Sequence, residues 1–75
     1  TIRYTLKDRS KVCIDIYNVK GQLVRSLVNA LHDSGAHSVV WDGTDNSGRA
    51  LSSGVYYYRM IAADTRSTKK MILMK

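Results

Sequence analysis

Apolar residues recur at every second position in two short runs near the start of the chain, Ile2, Tyr4 and Leu6, then Val12, Ile14 and Ile16. A period of two puts one set of side chains on one face of a pleated strand, and it is incompatible with the 3.6-residue period of an amphipathic helix. Turn-forming segments separate these runs and recur further along: Lys7 to Ser10, Asn18 to Gln22 around Gly21, Asp33 to Gly35, and the long stretch Asp42 to Gly54. Alternating runs divided by Gly, Asn, Asp and Ser are the pattern of an all-β chain.

Further strands follow from the same rule. Leu23 to His32 has two readings, because Leu23, Val24, Leu27, Val28 and Leu31 fit a helical spacing about as well as a strand with a bulge. Its neighbours are strands, and a sheet must keep its ladder, so the strand is preferred. His37 to Trp41 is a strand with Val39 and Trp41 on one face. Arg49 to Leu51 makes a very short strand inside the turn-rich stretch. Val55 to Ala63 is the longest run, with large residues on both faces, which makes it central but leaves its inward side open. Ala63 to Arg66 turns the chain, and Ser67 to Lys75 closes the fold. Six strands, or seven with the short one, over 75 residues predict a single domain, 1–75. It is an immunoglobulin-like β-sandwich of mostly antiparallel strands, with Trp41 as its large central filler.

So small a domain buries only about 60% of its unfolded surface, which leaves little volume for a substrate cleft beside a core. The one cysteine, Cys13, allows neither an internal disulfide nor a cysteine-cluster zinc site. No apolar run approaches the roughly 20 residues a membrane helix needs. Net charge is +6, from twelve Lys and Arg against six Asp. The basic residues are scattered along strands and turns, with Lys69-Lys70 the only adjacent pair, so nucleic acid is not an expected partner.

The search for chemistry is brief. His32 and His37 stand five apart across a turn, and zinc needs a third ligand that no spacing supplies. Ser52-Ser53-Gly54 has no nucleophile elbow around it and no base partner. In the segment 42–48, Asp42, Asp45 and Asn46 are the best calcium candidates. They miss the EF-hand register, however, and the chain has no Glu, so turn formation is the stronger reading. The expectation is a non-enzymatic domain with no catalytic residue, cofactor or metal.

The stretch from Trp41-Asp42-Gly43 through Gly48 to Ser53-Gly54-Val55-Tyr56 resembles the hallmark of the flagellar hook-capping (FlgD-type) Ig-like domain. Ile2 to Leu6 and Val12 to Val24 fit the same family. Thr68 to Lys75 resembles the ending of type A C-terminal sorting domains of the bacterial type IX secretion system, a similar sandwich. The Asn-Pro pair that usually opens that family is absent, and the long loop from Asp42 to Leu51 is closer to the hook-capping type.

The sorting resemblance implies a C-terminal module of a larger protein that directs a covalently linked upstream cargo across the outer membrane. Its partner would be the secretion machinery of that membrane. The cargo would end in the medium or at the cell surface, with an indirect association with surface glycolipid. A receptor would read an edge strand, here the last one, with Lys69, Lys70 and Lys75 giving charge selectivity. The alternative for those lysines is that they guard the edge against aggregation. The hook-capping resemblance implies instead a structural or assembly spacer of a multidomain surface protein. A third reading, a carbohydrate-binding module, would need exposed aromatics such as Tyr17 and Tyr57 to form a platform.

Overall fold

In the computed structural model, residues 1–63 and 65–74 are described. Six strands follow in order: β1 (Ile2–Leu6), β2 (Ser10–Tyr17), β3 (Leu23–His32), β4 (Gly35–Val39), β5 (Gly54–Ala62) and β6 (Thr65–Leu73). They form two antiparallel sheets, β1-β4 and β3-β2-β5-β6. The expected immunoglobulin-like sandwich is therefore the fold. The short strand expected at residues 49–51 is reduced to a single bridge between Thr44 and Ala50.

The alternating runs explain where the core lies. Ile2, Tyr4 and Leu6 of β1 face Val12, Ile14 and Ile16 of β2, and Tyr56 and Ala62 of β5 complete the buried cluster. Val12, Ile14 and Ile16 have no exposed surface. Burying each such side chain contributes about 1.5–3 kcal/mol, a large share of the roughly 4–11 kcal/mol a chain of this size holds in total. Trp41 is not the central filler. It lies just beyond β4, half-buried, and packs against the rim of the core from the end of the sandwich.

β5 turns Tyr56, Tyr58, Met60 and Ala62 inward, which settles the face its sequence leaves open. β3 is a strand throughout, and its register against β2 slips between Ile14 and Asp15 and again between Ile16 and Tyr17. Ile14 pairs with Val28 and Asp15 with Ser26, so Leu27 is an extra residue; Val24 is extra in the same way. Each bulge re-aims the pleat by one residue. Val24, Leu27 and Val28 consequently all pack on the core. Two bulges thus produce the helix-like spacing in a strand.

Candidate functional site

The family-like segment begins at Trp41 and folds back on itself. The Trp41 indole Nε1–H donates to the Thr44 carbonyl at 2.9 Å, and its ring meets that of Tyr56 edge-on at 5.2 Å. The Tyr56 hydroxyl donates to the Ser52 carbonyl at 2.8 Å, a corner of the kind that fixes strand entry in immunoglobulin-like sandwiches. These two aromatics fasten both ends of the loop to the sandwich.

Between them, Asp and Asn side chains act as turn formers. Asp42 Oδ1 accepts from the Thr44 hydroxyl at 2.6 Å and from the Thr44 amide at 3.1 Å. These bonds, the hydroxyl's foremost, hold the Asp42 carboxyl below its ordinary value, with the nearby Arg25 charge adding to the effect. Asp45 Oδ1 accepts from the amides of Ser47 and Arg49 at 2.9 and 3.0 Å. The backbone closes the turn through Gly48 N–H to Asp45 O at 3.0 Å. Gly48 sits at φ +83, a left-handed conformation in which a Cβ would be strained although no atom lies within 4 Å of it. Gly43, φ +79, is buried, and its carbonyl accepts from the Leu51 amide at 2.8 Å.

The loop also lies along the outer edge of β3. The Asn46 amide donates to the Val24 carbonyl at 3.0 Å, and Asn46 Oδ1 accepts from the Ser26 amide at 2.9 Å. Arg25 Nη1 donates to the Asp45 carbonyl at 2.8 Å and to the Thr44 hydroxyl at 3.3 Å. Asp42, Asp45 and Asn46, the calcium candidates, are thus each bonded to backbone or side-chain donors of the same chain. Among the described residues, no group of three His, Cys, Asp or Glu gathers at one point.

The last strand presents its lysines differently. Lys69 pairs with Tyr58 and Lys70 with Tyr57, so they project from opposite faces of the sheet. Lys70 shares the outer face with Arg66 and Arg59, while Lys69 lies on the inward side of an edge strand and is exposed. Lys75 lies outside the described residues. On the same outer face Tyr17 pairs with Tyr57. The Arg59 guanidinium lies 5.2 Å from the centre of the Tyr17 ring and donates to its hydroxyl at 2.7 Å, so Tyr17 is partly covered and no bare two-ring platform forms. Cys13 is half-buried on this face, its thiol 3.6 Å from Asn29 Oδ1. His32 and His37 are half-buried and touch each other and Tyr4.

The family model of the FlgD Ig-like domain matches residues 1–66. No curated protein matches the chain. The match takes in β1 to β5, the β3-covering loop and the Trp41–Tyr56 contact, and ends two residues into β6; the chain belongs to the FlgD Ig-like domain family.

Proposed function

We propose that this chain is a non-catalytic structural and assembly domain of a multidomain bacterial surface or secreted protein, positioning the domains joined to it. One observation carries this reading. In the stretch that resembles the family's hallmark, the side chains of Trp41, Asp42 and Tyr56 make their hydrogen bonds to their own loop, which favours a motif that builds the fold over one that presents a ligand site. Exchanging the domain, within its parent protein, for an unrelated sandwich of similar size tests it. Retained assembly supports a spacer; lost assembly with an intact fold points to a specific recognition surface.

A second reading, type IX sorting of an upstream cargo, is favoured by one feature. β6 is an outermost strand bearing Arg66, Lys69 and Lys70, and such an edge can accept a strand from a receptor. A reporter fused ahead of Thr1 would reach the surface or medium only in a strain with an active type IX system. Retention in the periplasm of active and inactive strains alike would contradict sorting. Unchanged export after charge reversal of Lys69 and Lys70 would remove the edge from the mechanism.

A further inference from the structure

The four-stranded sheet turns one face away from β1 and β4, and one end of that outer face is apolar. Register sets Leu23 beside Tyr17, Tyr17 beside Tyr57 and Val55 beside Ile72, all on this face. Leu23 and Ile72 are 50% and 63% exposed, and Val19, in the β2–β3 turn, is 68% exposed. Tyr17, Val19, Gly21, Tyr57, Arg59 and Thr68 enclose a shallow hollow there. Single apolar side chains are ordinary on a protein surface, but several gathered around a hollow mark a place of contact.

The charges on this face are one-sided. Lys11, Arg59, Arg66 and Lys70 lie on it, opposed among the described residues by Asp15 alone. The one ion pair among those residues is Arg9 with Asp33, elsewhere in the fold, so no carboxylate neutralises these cations at close range. Arg59 is also held in place beside the hollow. Its guanidinium lies 5.2 Å from the centre of the Tyr17 ring, and Nη2 donates to the Tyr17 hydroxyl at 2.7 Å. That bond uses one N–H and leaves others for a carboxylate, with part of the side chain's freedom already given up.

We propose that this end of the outer face is a docking surface for an acidic segment of another protein. An apolar or aromatic side chain of the segment enters the hollow, and a neighbouring Asp or Glu carboxylate meets Arg59 and Lys70. The surface goes beyond the structural reading of the domain, which needs no particular face. Charge complementarity selects the occupant. A second copy of this chain would bring the same excess of cations to the contact. A nucleic acid would match the charges but offer nothing to Val19, Leu23 and Ile72, and Arg59 occupies the Tyr17 ring on which a base would stack. A bilayer surface is flat and does not fill a hollow bounded by a turn.

The test is selection of a displayed random peptide library on this chain, followed by NMR titration of the chain with the enriched peptide. Enriched sequences should set Asp or Glu beside Phe, Trp or Leu, and the peptide should shift the amides of Val19, Leu23, Tyr57 and Lys70 saturably. Arg59→Gln should weaken binding at least about tenfold and Tyr57→Thr at least about fivefold. Lys69→Gln, on the opposite face, should change it by no more than about twofold. Both outer-face residues are exposed, so the variants should keep the fold, which their amide spectra check. The unaltered protein gives a reading independent of variants: affinity should fall several-fold between about 0.05 M and about 0.5 M salt. The proposal is overturned by any of five results: no enrichment of acidic over basic sequences, shifts centred on β1 and β4, undiminished affinity in folded Arg59→Gln, tighter binding to single-stranded DNA or phosphatidylserine vesicles than to the peptide, or concentration-dependent shifts of the same amides in the free protein. The last would assign the face to a second copy. All are read on the isolated chain, so they stand apart from the outcome of exchanging the domain in its parent protein.

Discussion

The four-stranded sheet has two outer strands, β3 and β6, and the chain treats them in opposite ways. Along β3, the loop of residues 42–51 supplies the missing neighbour: Asn46 bonds to both Val24 and Ser26, and Arg25 grips the loop backbone. Along β6 no further strand is paired among the described residues, and Arg66, Lys69 and Lys70 are exposed there. Unpaired edges invite association, and proteins blunt them either by covering them or by charging them. This sandwich does one at each end of the same sheet. The loop of residues 42–51 is accordingly an edge cover, whereas the β6 edge is left to its charges.

The comparison can be broken most severely at the base of the cover. Trp41→Ala removes the packing on Tyr56 and the bond to Thr44, and is expected to cost about 2–3 kcal/mol, less than a fully buried tryptophan because Trp41 is half-buried. Chemical denaturation measures this, and a loss under about 0.5 kcal/mol would mean that the loop holds without its anchor. Asn46→Ala acts on the cover itself. It leaves the Ser26 amide without its acceptor, at a cost of about 1 kcal/mol, and is expected to raise self-association in sedimentation measurements.

Acid sharpens the contrast. Thr44 holds the folded Asp42 carboxyl below its ordinary value. Its stabilisation is therefore present above the unfolded value near pH 4 and is lost as pH falls through the lower folded value. Melting midpoints of the parent should drop in that window more steeply than those of Asp42→Asn, which is weaker at neutral pH; parallel profiles would assign the acid response elsewhere. Smallest in stability is the uncovered edge. Lys69→Ile with Lys70→Thr should change stability by no more than about 0.5 kcal/mol while promoting association, because charge acts there against pairing and not for folding.

Much of this was legible in the residues. Ile2, Tyr4, Leu6 and Val12, Ile14, Ile16 alternate without interruption, and both sets are buried as that pattern requires. The Asp and Gly positions of residues 42–48 announced turns, and the turns are there. Adjacent residues on a strand face opposite ways, and that rule alone separates Lys69 from Lys70, so treating them as one patch overlooked available information. Three features needed the third dimension. The bulges of β3 disguise a strand as a helix. Asn46 reaches a strand twenty residues earlier in the sequence, at Ser26. The His32–His37 contact depends on the β1–β4 register that sets His37 against Tyr4. The spacing in β3 allows a strand with a bulge and the histidines stand five apart across a turn, but neither fixes the number of bulges or the ring contact, and the reach of Asn46 to Ser26 leaves no local signal.

Amide hydrogen exchange on the native protein tests the central claim most directly, since it compares the two edges in one experiment. The covered-edge account predicts that the Ser26 and Asn46 amides are protected about as strongly as interior ladder amides, while alternate amides along β6, pointing away from β5, exchange near the rate of open chain. Ser26 exchanging as fast as those β6 amides would contradict it, and would mean that the loop does not cover the β3 edge.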